Sequence, residues 1–110
     1  MKDKFLNALY GLREALKDPA IFVQFILAVL AIIGGISIYL DHHEWLAFFI
    51  CIGLVICLEI VNSVVEQICD LYSTVYNPKI KKIKDMSAGA VLFACFIALI
   101  VCLSCLFRRI

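Results

Sequence analysis

The chain has 110 residues, of which 65% are hydrophobic, with a mean hydropathy of +1.03 and a net charge of only +1. A typical soluble domain is apolar at about half of its positions, so this composition excludes an ordinary soluble domain and predicts an integral membrane protein. Eight of the ten Lys and Arg residues lie in two clusters, at residues 2–17 and 79–84. This distribution indicates membrane orientation and predicts neither a nucleic-acid partner nor a soluble protein partner.

Residues 1–18 are predicted to form an amphipathic helix on the membrane surface. Its apolar residues recur at every third or fourth position, namely Phe5, Leu9, Leu12 and Leu16. Charged and polar side chains occupy the other side of this helix. Asp18-Pro19 is predicted to end it, because a residue before proline disfavours helical backbone, while proline suits the first turn of a new helix.

Three apolar segments follow, each long enough to cross a hydrocarbon core of about 30 Å. The predicted membrane spans are residues 20–40, 46–70 and 86–107. Residues 71–85 contain four lysines and an Asn-Pro turn signal, and they are predicted to form a basic loop between the second and third spans. The sequence therefore predicts an all-α, multi-pass membrane domain.

The basic residues also predict the orientation of this domain. By the positive-inside rule, the N-terminus and the 71–85 loop lie in the cytoplasm, while the DHHE segment at residues 41–44 faces outward. Two basic residues oppose this orientation, Arg108 and Arg109 at the end of the third span. Eight basic residues against two favour the cytoplasmic N-terminus.

The second span carries a polar stripe, which we define as Glu59, Asn62, Glu66 and Asp70. On a helix these four positions fall within about 80° of arc, so the side chains share one face. Charged groups at such depth are costly and usually face a bundle interior or a water-filled site. The rise of a helix places Glu59 and Glu66 roughly 10 Å apart along the axis, so we expect them to have different roles.

Three readings of the polar stripe are open from the pattern alone. Carboxylates beside a lysine-rich loop suit Mg²⁺ and phosphate groups, and the deeper Glu59 is placed to act as a general base toward a lipid hydroxyl. The same acids could line an ion channel or a proton-coupled transporter, or could hold helices together by hydrogen bonds. The sequence contains neither a Walker A loop nor a kinase-type glycine-rich loop, so nucleotide binding would be of an unusual kind.

Two motifs resemble a known family. The run EIVNSVVEQICD, followed after a short loop by KDMSAGAVL, is similar to the signature of the small prokaryotic lipid kinases, the diacylglycerol kinase and undecaprenol kinase family. The family pattern is E-x-x-N-[ST]-x-x-E-x-x-x-D and then K-D-[MLV]-x-[AS]-[AG]-A-V-L. Gly11-Leu12-Arg13, Gln24 and Asp41 also fit the layout of the family, so the resemblance covers nearly the whole chain.

The resemblance implies a homotrimeric helical bundle in the bacterial cytoplasmic (inner) membrane, with one surface helix and three transmembrane helices per subunit. It further implies that MgATP phosphorylates the hydroxyl of a membrane lipid, either diacylglycerol or undecaprenol. The residue roles that it implies are Glu59 as general base, Glu66 as magnesium ligand, Asn62, Asp70 and Gln24 as residues that shape the site, and Lys84 and Asp85 as nucleotide-phosphate contacts.

The chain departs from this family at one functional position. Members usually carry a second metal-binding glutamate between the surface helix and the first span, and Pro19 stands there in this sequence. Asp18 and Glu14 are the candidates to replace it. The departure adds one further alternative, a catalytically weakened homologue of the kinases.

Overall fold

The chain folds into four helices in a computed structural model that describes residues 2–110. They are α1 (Lys2–Leu16), α2 (Pro19–Ser37), α3 (His42–Tyr72) and α4 (Pro78–Phe107). Short connections join them, and the described residues contain no strand. The all-α prediction is therefore confirmed.

Three of the helices are long and apolar enough to cross a membrane. The most apolar windows of α2, α3 and α4 have mean hydropathies of 2.5, 2.5 and 3.0. These helices overlap the three predicted spans. The helix α2 ends at Ser37, three residues before the predicted end, whereas α3 and α4 begin earlier than predicted, at polar caps. The surface position of α1 and the homotrimer stay predictions.

Side-chain caps determine where the helices begin. Asp18 precedes α2 and accepts a hydrogen bond from the Ala20 amide at 3.0 Å, with Pro19 as first helical residue, which confirms the predicted break. Asp41 and Glu44 form a capping box before α3, each side chain accepting from the backbone amide of the other.

The predicted basic loop is shorter than its 71–85 range. The helix α4 already begins at Pro78, so the lysines of residues 79–84 lie on its first two turns and the prediction of a loop through residue 85 was wrong. The Asn77 side chain caps this helix by accepting from the Lys79 amide at 2.9 Å, and proline favours the first helical position. The connection between α3 and α4 is residues 73–77.

Helix α3 is the centre of the packing. It contacts α4 extensively and α2 less extensively, and a small apolar core of Leu40, Phe48 and Cys105 lies where the ends of all three helices meet. Most other large apolar side chains are exposed along the long helices. An apolar exterior of this kind is what helices in hydrocarbon require.

A C-terminal ion-pair cluster closes the end of the bundle opposite the lysines. Glu44 is only 6% exposed, and its Oε2 accepts a hydrogen bond from Arg109 Nη1 at 2.7 Å. Arg109 also donates to the carbonyl oxygens of Ile38 and Tyr39, while Arg108 pairs with Asp41 at 3.2 Å. Both arginines that oppose the predicted orientation are thus neutralised locally.

Candidate functional site

The polar stripe lies on a single unbroken helix. Glu59, Asn62, Glu66 and Asp70 all belong to α3, whose helical geometry places them along one side. Asn62 is buried and Glu59 is partly buried, while Glu66 and Asp70 are exposed. Asn62 Nδ2 donates a long hydrogen bond of 3.4 Å to Glu66 Oε1, which links the buried part of the stripe to its exposed part.

Asn62 also contributes an unusual acceptor. Its Oδ1 atom is buried and receives no hydrogen bond from the part of the chain that the structure describes. A buried polar atom without a partner typically costs about 1–3 kcal/mol. A donor group from a ligand would therefore be stabilised at this point, between Glu59 and Glu66.

Asp18 is brought to the stripe from the start of α2. Its Oδ2 atom accepts a hydrogen bond from Ser63 Oγ at 2.6 Å, and its Oδ1 atom accepts from the Ala20 amide at 3.0 Å. These two hydrogen bonds, the Ser63 bond first, hold the pKa of Asp18 below its usual value. Asp18 is therefore held as a carboxylate against the segment between Glu59 and Glu66.

Glu14, the other candidate acid near Pro19, is engaged elsewhere. Its Oε1 atom accepts a hydrogen bond from Lys17 Nζ at 2.8 Å, and both side chains are exposed. This hydrogen bond lowers the pKa of Glu14. The structure thus brings Asp18 beside the polar stripe, whereas Glu14 pairs with Lys17, the residue that follows α1.

The donors at this site fit a magnesium ion that arrives with phosphate groups. Among residues 2–110, no three His, Cys, Asp or Glu side chains are arranged to hold a metal by themselves. Magnesium needs no such cage, because it commonly takes one or two carboxylates and completes its shell with phosphate oxygens and water. Asp18 and Glu66 offer carboxylate oxygens of the required kind.

Lys84 lies beside the exposed end of the stripe. Its Nζ atom donates to Asp70 Oδ1 at 2.7 Å and so joins α4 to α3. Asp85 is paired with Lys81 at 2.6 Å on the exposed first turns of α4. The structure therefore brings Lys84 to the stripe, while Asp85 contacts a different lysine.

An open apolar groove of about 440 Å³ lies between α2, α3 and α4. Gln24 is the polar residue of its lining, and the α3 wall includes Ile52, Val55 and Ile56. These three residues precede Glu59 by seven, four and three positions, so they share its side of the helix. The groove therefore runs along α3 toward Glu59.

Comparison with known proteins identifies the class of this membrane protein. A model of the family described as prokaryotic diacylglycerol kinase matches residues 6–106. The chain belongs to that family.

Individual relatives agree with this assignment. The chain is 33% identical over 100 residues to undecaprenol kinase of Bacillus subtilis, covering 90% of this chain and 79% of that protein. It is 33% identical over 91 residues to diacylglycerol kinase of Escherichia coli (strain K12), covering 82% and 75%. It is 32% identical over 81 residues to diacylglycerol kinase of Helicobacter pylori (strain J99), covering 73% and 63%. Together with the three apolar helices, these findings support a multi-pass membrane protein.

Two side-chain pairs seen in the structure are not predicted by the sequence analysis. The family motif specifies Ser63 only as its [ST] position, whereas the structure shows its hydroxyl donating to Asp18. The sequence analysis also did not identify Glu44, although an acidic residue three positions after Asp41 is a capping-box signal. The pairing of Glu44 with Arg109 has no such local signal. Neither long-range partner can be identified from helical spacing.

Proposed function

We propose that this chain is a lipid kinase that transfers the γ-phosphoryl group of ATP to the hydroxyl of a membrane lipid, either diacylglycerol or undecaprenol. The observation that carries the proposal is the polar stripe of α3 with Lys84 beside it, in a chain whose relatives are named as kinases of these two lipids. Glu59 is partly buried and suits the lipid hydroxyl, while Lys84, which pairs with the exposed Asp70, suits the phosphate groups.

Glu59 is the general base of this proposal. It accepts the proton of the lipid hydroxyl while the hydroxyl oxygen forms a bond to the γ-phosphorus and the bond from that phosphorus to ADP breaks. Its partly buried position on α3 suits a hydroxyl that arrives from within the bilayer. Asn62 lies three residues further on, and its Oδ1, which has no hydrogen-bond partner within residues 2–110, is available to a donor group of a substrate.

The phosphate side of the reaction involves the exposed half of the stripe. Glu66 and Asp18 would hold Mg²⁺, which when bound would neutralise negative charge on the phosphate groups of ATP. Lys84 binds phosphate oxygens and is oriented by Asp70, while Asp85 contacts the nucleotide from the first turns of α4.

The lipid acceptor extends along the apolar groove. A hydrocarbon chain between α2, α3 and α4 leads along the helix face of Glu59, and Gln24 supplies a polar contact in the lining. Both lipid classes have long hydrocarbon chains, so the groove supports a lipid acceptor without selecting between them.

The proposed enzyme is a homotrimer in the bacterial cytoplasmic membrane, with its N-terminus and the lysines of residues 79–84 in the cytoplasm. Glu66 and Asp70 are exposed on a single subunit, and three long helices have little surface with which to enclose both a nucleotide and a lipid. This exposure supports a site that a neighbouring subunit completes.

A competition assay in proteoliposomes tests the function. Purified protein is given ATP, Mg²⁺ and equal amounts of diacylglycerol and undecaprenol, and the products are identified by mass spectrometry. We expect a phosphorylated lipid whose formation needs Mg²⁺, and the ratio of products gives the lipid preference. Ion flux across the liposomes without any phosphorylated lipid would contradict the kinase and support the channel or transporter. An increase in a weak activity on Pro19→Glu would support the catalytically weakened homologue.

A further inference from the structure

We propose that Ser63 is a positioning residue that holds Asp18 at the metal site, so that Asp18 supplies the carboxylate missing at Pro19. This inference rests on the proposed kinase function, because the metal is the one that accompanies ATP. It assigns a role to a side chain that lies between the two key glutamates of α3.

The contact is short and links distant parts of the chain. Ser63 Oγ donates to Asp18 Oδ2 at 2.6 Å across a separation of 45 residues. The Ala20 amide donates to the other oxygen, Oδ1, at 3.0 Å. Each carboxylate oxygen has two lone pairs, so both hydrogen bonds leave Asp18 able to ligate a metal.

The position of Ser63 places Asp18 on the side of α3 that carries both glutamates. Ser63 follows Glu59 by four residues and precedes Glu66 by three. Residues at these spacings are neighbours on a helix surface, about 5–6 Å apart between Cβ atoms. A carboxylate bound to Ser63 therefore lies on the side of α3 that carries Glu66, the proposed magnesium ligand.

The local backbone explains why a support is needed. Pro19 occupies the first position of α2 and has no carboxylate, and Asp18 reaches one methylene less far than a glutamate. The short side chain contacts α3 through Ser63, which connects the start of α2 to this helix. Ser63 makes this connection, in the way that hydrogen-bond partners orient metal ligands generally.

Gln67 orients the hydroxyl of Ser63. Its Nε2 atom donates to Ser63 Oγ at 3.4 Å, one helical turn further along α3. With its oxygen accepting from Gln67, the Ser63 hydroxyl directs its own hydrogen toward Asp18. The three side chains thus form a directed series of hydrogen bonds that ends on the carboxylate.

The test measures binding of Mn²⁺, a paramagnetic substitute for Mg²⁺, by electron paramagnetic resonance. The full-length protein is titrated in detergent micelles with a non-hydrolysable ATP analogue present. Loss of a partner that orients a ligand typically weakens metal binding about 10- to 100-fold, so we expect this loss in Ser63→Ala. Ser63→Thr retains the hydroxyl and is expected to bind Mn²⁺ as the unmodified chain does.

Two further variants separate positioning from folding. Asp18→Asn keeps an oxygen that accepts from Ser63 but removes the charge, and it is expected to lose as much Mn²⁺ affinity as Ser63→Ala. In the Ser63→Ala/Asp18→Asn double variant the losses are expected not to add. Ser37→Ala is the matched control, because the Ser37 hydroxyl donates to the Ile33 carbonyl of its own helix and, within residues 2–110, to no other group.

The outcomes distinguish the inference from the function on which it rests. Wild-type Mn²⁺ affinity in either Ser63→Ala or Asp18→Asn would overturn the role of Ser63, even if the unmodified chain phosphorylates lipid. Failure of the unmodified chain to form any phosphorylated lipid would overturn the kinase. A lowered affinity in Ser63→Ala that Ser63→Thr does not share supports the positioning role.

Discussion

Lys84 and Asp70 form an ion pair of 2.7 Å that connects the first turns of α4 to the last turns of α3. The pair brings a cation from one motif of the sequence to an acid of the other motif. It therefore fixes the position of the proposed phosphate-binding side relative to the polar stripe.

Replacing Lys84 should weaken the binding of ATP more than the binding of lipid. A hydrogen bond to a charged group contributes about 1.5–3 kcal/mol, so we expect Lys84→Met to raise the KM for ATP about tenfold or more. Steady-state kinetics at saturating lipid provide the measurement. Lys82→Met is the control, since Lys82 is exposed on the same turns, and an equal rise in that variant would contradict a specific role for Lys84.

Filling the apolar groove should weaken the binding of the lipid and leave the binding of ATP unchanged. Ala98 lines the groove, and Ala98→Phe adds a ring to a space of about 440 Å³. We expect a higher KM for the lipid and an unchanged KM for ATP, measured in mixed micelles with varied lipid content. Ile97→Phe, at the exposed neighbouring position outside the groove, should change neither value. A lipid KM unaffected by Ala98→Phe would contradict the proposed acceptor position.

The C-terminal ion-pair cluster should matter for stability. Arg109→Gln removes the main partner of the buried Glu44 carboxylate, and breaking a buried pair on one side is strongly destabilising. We expect a lower midpoint of thermal unfolding in detergent, with a much smaller change in Arg108→Gln because Arg108 is exposed. The Glu44→Gln/Arg109→Gln double variant should lose less than the sum of the single changes. Equal losses for both arginine variants would contradict this account.

Gly34 and Gly35, near the end of α2, provide a matched pair of substitutions that tests how closely this end packs against the start of α3. A Cβ atom at Gly35 would lie 2.8 Å from Leu40 Cδ1 and 3.0 Å from Trp45 Cη2, whereas one at Gly34 would meet nothing within 4 Å. Gly35→Ala is therefore expected to lower the thermal midpoint, and Gly34→Ala to preserve or raise it. A lower thermal midpoint for Gly34→Ala than for Gly35→Ala in circular-dichroism melts would contradict close packing of Leu40 and Trp45 against Gly35.

The main helices could be predicted from sequence because their signals are local. Twenty or so apolar residues define a span, and Asp18-Pro19 defines a break, without any information about partners. The start of α4 is harder to predict, because the lysines of residues 79–84 have the composition of a loop. The cap at Asn77 and the helical preference of proline at position 78 decide that segment.

The candidate site was predictable only along one helix. Helical spacing was enough to group the polar stripe, because all four of its residues lie on α3. Ser63 and Asp18 are separated by 45 positions in the sequence, and Glu44 and Arg109 by 65 positions. Such pairs depend on how the helices pack against each other, which periodicity within one helix does not determine.

The proposed role of Glu59 as the base of lipid phosphotransfer can be tested with a single substitution. Glu59→Gln is nearly isosteric but cannot accept the hydroxyl proton, and general-base catalysis contributes about 10²- to 10⁴-fold. We expect the rate of lipid phosphorylation in proteoliposomes with saturating MgATP to fall by that factor, while binding of the ATP analogue is retained. Phosphorylation at the wild-type rate in Glu59→Gln would contradict the account.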